Sequence, residues 1–162
     1  VNKPVNERKK YMNTQDITKE QLETLILIRS LEEFVTDEHE NLSTLSGAVW
    51  TLEESLSDKE HEQLVADICK LTEKGYLLSD GTEEHIKADR IPEVEGITPR
   101  GEAVLDEFEH EIQKKVSSGE KVILFKDCSL FNFSLLSELD VSGGVFDTVG
   151  SLFKFIGKVM KK

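Results

Sequence analysis

Two helix boundary signals, one at Gly75 and the other at Thr98-Pro99, constrain the fold of this chain more than any other feature. An apolar helical repeat ends at Gly75, the residue type that most readily follows the last turn of a helix. Thr98 and Pro99 then provide an N-cap and a first-turn proline for another helix. Between these signals, short apolar runs at 76–78 and 94–97 flank a polar stretch. This arrangement predicts a β-hairpin with an extended tip.

Three helices are predicted before the hairpin from the spacing of apolar residues. The first covers Thr18 to Val35, and a charged break separates it from a second at 42–56. The third begins at Ser57-Asp58, where the serine side chain can cap the helix. A fourth helix follows the hairpin. The predicted order is therefore helix, helix, helix, strand, strand, helix, in a mainly α domain that covers residues 18–117.

Two segments of this domain resemble the winged-helix superfamily. Segment 68–77, Ile-Cys-Lys-Leu-Thr-Glu-Lys-Gly-Tyr-Leu, is similar to the end of the third helix in that superfamily. Segment 97–105, Ile-Thr-Pro-Arg-Gly-Glu-Ala-Val-Leu, resembles the entry to the helix behind the wing. The match looks like that of MarR- and PadR-type regulators and of small uncharacterised Gram-positive winged-helix proteins. It implies a winged helix-turn-helix fold, and it leaves function open because such domains bind DNA in some proteins and other proteins elsewhere.

The charge of the chain is divided unevenly along its length. The 162 residues include 32 acidic and 20 basic ones, for a net charge of -12. Residues 12–113 carry -18, whereas residues 1–11 and 114–162 carry +3 each. Because DNA binding requires a clustered positive surface, this acidic body disfavours DNA as a ligand. We therefore predict a cytoplasmic bacterial protein that binds a protein partner or forms a homodimer, with a DNA-binding transcriptional regulator as the alternative.

Four cations are the candidates for DNA contact under that alternative. The resemblance implies that the third helix would enter the major groove and that the wing would touch the backbone or the minor groove. The candidate DNA-binding residues on these two elements are Lys70, Lys74, Lys87 and Arg90.

The segment 145–162 has the sharpest helical periodicity in the chain, with large apolar residues on one half of the wheel and lysines on the other. This pattern is typical of an interfacial amphipathic helix on an anionic membrane, which would make the chain a peripheral membrane protein. The same pattern is more often used to pack on the protein's own core or on a second copy. The predicted association or membrane face is Phe146, Val149, Leu152, Phe153, Ile156, Val159 and Met160. The predicted contacts to a membrane or an acidic surface are Lys154, Lys158, Lys161 and Lys162.

The remaining segments are an N-terminal arm, 1–17, and an apolar connection, 118–144. Residues 1–11 are either a genuine basic arm or a translated region ahead of a start at Met12. In the connection we predict a strand at 122–125, a short helix at 134–139 and a hinge at 140–144.

No chemistry-bearing motif is predicted. The histidines have none of the usual zinc spacings, so we interpret them as solvated side chains on charged helix faces. Cys69 lies in an apolar stripe and is predicted to be buried, whereas Cys128 lies in a less regular region. We predict no enzymatic activity, metal or cofactor, and no apolar run is long enough to span a membrane. The four histidines of the chain, which we interpret as solvated, are His39, His61, His85 and His110.

Overall fold

The computed structural model describes residues 16–38, 45–126 and 138–161, which form a mainly α-helical fold with two small antiparallel β-hairpins. This confirms the expected mainly α class and the expected hairpin after the third helix. The helices are α1 (Lys19–Glu38), α2 (Leu45–Leu52), α3 (Asp58–Glu73), α4 (Glu83–Ala88), α5 (Pro99–Ser117) and α6 (Leu152–Lys161). The strands are β1 (Leu77–Ser79), β2 (Val94–Ile97), β3 (Ile123–Leu124) and β4 (Leu139–Asp140), and 3-10 segments cover Glu53–Ser55 and Ser142–Val149.

Helix α3 begins and ends where the sequence predicts. At its start, the Glu60 amide donates to Ser57 Oγ over 3.2 Å, and the Ser57 amide donates to Glu60 Oε1 over 2.9 Å. This reciprocal pair is a capping box. At its end, Gly75 adopts a φ of 87°, and the Tyr76 amide donates to the Leu71 carbonyl over 2.8 Å. A left-handed glycine with this hydrogen bond is a Schellman motif, which turns the chain into β1.

Helix α5 starts in direct contact with the chain that leaves α3. Thr98 Oγ1 accepts a hydrogen bond from the Gly101 amide over 3.1 Å and donates to the Gly75 carbonyl over 2.6 Å. A Cβ atom at Gly101 would lie 2.3 Å from the Tyr76 carbonyl oxygen. Only glycine allows this close approach of the helix to the backbone. The packing gives a physical reason for both glycines that carry the resemblance.

The hairpin pairs Leu77 with Ile97 and Ser79 with Val94, and its register shifts between Leu78 and Ser79, where Glu95 of β2 has no partner in the pairing. Its tip contains helix α4, which the sequence analysis does not predict. The helix ends at Asp89, which has a φ of 51° and reverses the chain towards β2. The tip is therefore an ordered structure that packs against α3.

Helix α1 lies at the centre of the fold and contacts α2, α3, α5 and α6. Leu25, Leu27 and Ile28 point in different directions around the helix, and all three are buried. The predicted amphipathic helix is thus covered on more than its apolar stripe, because α6 packs on it as well.

Several predictions for the C-terminal third are wrong. The continuous helix at 145–162 is interrupted, because Gly150 adopts a φ of 99° between the 3-10 segment and α6. Leu139 lies in β4 and not in a short helix, while residues 134–137 lie outside the described part of the chain. The predicted strand at 122–125 is present as β3, and Gly143 within the predicted hinge has a positive φ. Nearer the N-terminus, the predicted second helix at 42–56 is present as α2 at 45–52 followed by a 3-10 segment at 53–55, while residues 42–44 lie outside the described part of the chain.

Candidate functional site

The most exposed large aromatic side chain among the described residues is Trp50, at the end of α2, with 47% of its surface accessible. It lines a concavity of about 350 Å³ between α2 and the hairpin. We call this concavity the Trp50 groove, and it is lined by Trp50, Glu53, Asp80, His85, Arg90, Ile91 and Glu93. A second concavity of about 420 Å³ shares Trp50 and Glu53 and adds Gly47 and Glu54. The indole is therefore accessible from two adjoining hollows.

The rim of the Trp50 groove is acidic. Glu53, Asp80 and Glu93 are all exposed there, against Arg90 as the one permanently charged cation of its lining. Buried Ile91 adds apolar surface beside the indole. An exposed tryptophan among carboxylates can bind an apolar group and a cation together, since the indole face attracts positive charge.

Hydrogen bonds within the hairpin fix one wall of the groove. Asp80 Oδ1 accepts from the Glu93 amide over 2.8 Å, and the Asp80 amide donates to the Glu93 carbonyl over 3.3 Å. His85 is only 8% exposed, and its Nδ1 accepts from the Thr82 amide over 3.3 Å. Because an amide only donates, the proton of neutral His85 lies on Nε2, which is 3.7 Å from Asp80 Oδ1. The prediction that His85 is solvated is wrong.

His61 joins the two walls of the groove. Its Nε2 lies 2.8 Å from Glu53 Oε2, and its Nδ1 lies 2.9 Å from Asp89 Oδ1. Its side chain is 14% exposed, so it is not a solvated histidine either. Partial burial lowers the pKa of His61, but the hydrogen bonds to Glu53 and then Asp89 outweigh that effect, so the pKa is raised overall.

The other two histidines lie outside the Trp50 groove or outside the described residues. His110 is exposed on α5, as predicted, and His39 lies outside the described residues. No group of three or more histidine, cysteine or acidic side chains in the described ranges is arranged to hold a metal ion.

Cys69 is buried as predicted, and burial raises the pKa of its thiol. Cys128 falls in the part of the chain that the structure leaves undescribed.

The four predicted DNA contacts differ in their surroundings. Lys74 Nζ donates to Gln21 Oε1 over 3.0 Å and to the backbone carbonyl of Asp16, so it holds the start of α1. Lys70 Nζ is 3.5 Å from Glu73 Oε1 and lines a different hollow from Arg90. Lys87 is exposed on α4. Between residues 57 and 97 the chain has eleven acidic and five basic residues.

Most of the described residues of the predicted association face are buried within the chain. Phe146, Leu152, Phe153 and Ile156 are buried, the last three on the side of α6 that packs on α1. The Arg29 guanidinium lies 5.7 Å from the centre of the Phe153 ring, and the Leu152 amide donates to Glu109 Oε2 over 2.8 Å. Of the other residues of this face, Val159 is half-buried, and the side chains of Val149 and Met160 are not described. Among the lysines predicted to contact a membrane or an acidic surface, Lys154 is half-buried and Lys158 is exposed, and the side chains of Lys161 and Lys162 are not described.

One carboxylate is buried between α1 and α3. Asp67 is 3% exposed, and its two oxygens accept from Thr24 Oγ1 and from Gln63 Nε2, each over 2.9 Å. Burial raises its pKa to about 6, even though these hydrogen bonds act in the opposite direction. Asp67 lies in the core and is not part of the Trp50 groove.

The residues of the Trp50 groove are not predicted from the sequence. Trp50 reads there as part of an apolar helical stripe, and the acidic residues read as general surface charge. The single tryptophan of the chain, followed by Glu53-Glu54, is the signal that could have pointed to the site.

No protein-family model, curated protein or solved structure matches this chain. Within the described ranges, none of the helices combines the length and the apolar character that crossing a membrane requires.

Proposed function

We propose that this chain is a non-enzymatic winged-helix protein that binds a basic segment of a protein partner in the Trp50 groove. The observation that carries the proposal is the half-exposed indole of Trp50 among the carboxylates of Glu53, Asp80 and Glu93. Tryptophan is the residue type most enriched among binding hot spots, and it loses little conformational entropy on binding.

The winged-helix part of the proposal is supported by the element order and by the junction at Gly75 and Gly101. Three helices precede a β-hairpin, and a further helix packs behind it. The β1–β2 hairpin with α4 at its tip would be the wing. In this arrangement, the Trp50 groove lies between the second helix and the wing, away from the start of α1.

The chemistry of the groove favours a basic segment that also carries apolar side chains. A guanidinium stacked on an indole gains about 0.5–2 kcal/mol, and an adjacent carboxylate can pair with it. A phosphate would instead meet three carboxylates at the same place. The DNA-binding alternative rests on Lys70, Lys87 and Arg90, since Lys74 is already engaged by Gln21.

The test measures binding through the fluorescence of Trp50, which is the only tryptophan in the chain. The probe is a short synthetic peptide of arginines with leucines between them, and the matched control peptide has glutamate at each arginine position. We expect the basic peptide to change the fluorescence saturably and the acidic peptide to have no effect. Fluorescence anisotropy of a dye-labelled peptide gives affinities for variants that lack the tryptophan.

Two variants locate the binding site. Trp50→Ala is expected to weaken binding by about thirtyfold or more, because a hot-spot tryptophan contributes at least about 2 kcal/mol. Val145→Ala, which shortens an exposed apolar side chain outside the groove, is the matched control and should leave the affinity unchanged. Equal affinity of Trp50→Ala and the unaltered chain would refute the proposal. Binding of random-sequence duplex DNA that is lost in Lys70→Glu and Arg90→Glu would support the regulator alternative.

A further inference from the structure

We propose that His61 is a protonation-dependent clamp that holds the two walls of the Trp50 groove together and keeps Glu53 engaged until the ring loses a proton. The proposal concerns regulation, and it rests on the proposed function only for the use of the groove. The clamp itself is a property of the described residues.

The position of His61 makes it a bridge between three elements. The ring projects from α3, Glu53 belongs to the 3-10 segment that follows α2, and Asp89 ends α4 in the hairpin tip. Glu53 itself lines the groove, and Asp89 directly precedes the lining residues Arg90 and Ile91. A change at Nε2 therefore acts directly on the lining residue Glu53, and a change at Nδ1 acts on the hairpin wall through Asp89.

The number of protons on the ring decides whether both bonds exist. An ionised carboxylate only accepts hydrogen bonds, so both contacts are hydrogen bonds only when both ring nitrogens carry protons. Neutral imidazole has one N–H, and its other nitrogen would direct a lone pair at a carboxylate oxygen less than 3 Å away. That contact is repulsive, so one wall is released when the ring becomes neutral.

The charges around the ring favour the closed state at low pH. The charged groups that interact with His61 are Glu53 from the 3-10 segment and Asp89 from the end of α4, both acidic. On α3 itself, the neighbouring ionisable residues in the sequence are Glu60 and Glu62, and Asp58 lies one turn earlier. Because the pKa of His61 is raised above its ordinary value of 6.5, the clamp should open at a higher pH than that at which a free histidine loses its proton.

The clamp and a basic partner compete for the same carboxylate. Protonated His61 places a positive charge against Glu53, where the partner's cation would otherwise pair. By linkage, a ligand that disfavours protonation of His61 binds more tightly once the proton is lost. We therefore expect the arginine peptide to bind several-fold more tightly above the His61 transition than below it.

The experiment follows Trp50 fluorescence and its quenching by acrylamide from about pH 5.5 to about pH 9, a range that spans histidine titration. NMR of the ring protons of His61 in the same samples gives its protonation midpoint. We expect quenching to increase with pH with the same midpoint. In His61→Gln, whose side-chain amide neither gains nor loses a proton in this pH range, this transition should be absent. His110→Gln, at an exposed position on α5, is the matched control and should retain it.

The outcomes separate the clamp from the proposed function. No change in quenching across the NMR midpoint, or the same transition in His61→Gln, would overturn the clamp, whether or not that variant binds peptide. A transition that depends on His61 in a protein that binds no basic peptide at any pH would support the clamp and refute the proposed function. Equal peptide affinity on both sides of the midpoint would overturn the competition for Glu53.

Discussion

Replacing the buried carboxylate of Asp67 with an amide should change how the folding stability of this chain depends on pH. Asp67 is 3% exposed, and burial raises its pKa from 3.8 to about 6. Between these values the folded state holds a proton that the unfolded state has released, so stability falls as pH rises through this window. The Asp67→Asn variant has no proton to lose at this position and should not show this decrease.

The size of the effect follows from the two pKa values. At about 1.4 kcal/mol per pKa unit, the difference between 3.8 and about 6 corresponds to about 3 kcal/mol. This contribution is present in full below the unfolded pKa and is lost as the pH rises past the folded pKa. About 2 kcal/mol of the loss falls between about pH 4.5 and about pH 8.

Urea unfolding at these two pH values measures the free energy of unfolding of the unaltered chain and of Asp67→Asn. Going from the lower to the higher pH, we expect the variant to gain about 2 kcal/mol relative to the unaltered chain. Asp106→Asn, which changes an exposed carboxylate on α5, is the matched control. The comparison cancels the titration of the other groups, which all three proteins share.

The hydrogen bonds to Asp67 survive the substitution in part. The asparagine side chain of the variant still presents a carbonyl oxygen to Gln63 or to Thr24, and the threonine hydroxyl can accept from the new amide. A free-energy difference between Asp67→Asn and the unaltered chain that stays constant with pH would refute the reasoning. It would mean that the carboxylate is better solvated or better paired than its burial between α1 and α3 indicates.

Three further predictions concern stability, and urea unfolding at neutral pH checks each. Gly101→Ala should cost about 2–3 kcal/mol, because the new methyl would lie 2.3 Å from the Tyr76 carbonyl oxygen; an unchanged midpoint would show that α5 can move away. Ser57→Ala should cost about 1 kcal/mol by removing the cap of α3, and Ser57→Thr should restore most of it. Phe153→Ala should cost about 3–5 kcal/mol, since the ring is buried against α1; a loss below about 1 kcal/mol would mean that α6 is not docked in solution.

The ends of α3 and α5 could be predicted because the interactions that set them are local. The cap of α3 joins residues three positions apart, and the left-handed turn at Gly75 depends on the absence of a side chain at that one position. The paired apolar runs of β1 and β2 are likewise readable without knowledge of the rest of the chain. Helix α4 could not be predicted, because a six-residue helix with mostly polar residues has no periodic apolar signal.

The candidate site could not be predicted, because its residues come from separate parts of the chain. Glu53 and Asp89 lie 8 and 28 positions from His61, on either side of it. Each of the three reads as a solvated charged residue in the sequence. Trp50 reads as a core position, and its exposure depends on where the hairpin packs against α2.

The sequence by itself determined the order of the first three helices, the β1–β2 hairpin and α5, the ends of α3 and α5, and the acidic character of the central region, because capping, turn geometry and composition are local properties. It left three places for the C-terminal apolar face: the core, a second copy or a membrane. The tertiary structure placed Leu152, Phe153 and Ile156 in the core, on the helix that packs on α1, and it engaged Lys74 with Gln21. It also brought His61 together with Glu53 and Asp89, because contacts between distant residues depend on how whole elements pack.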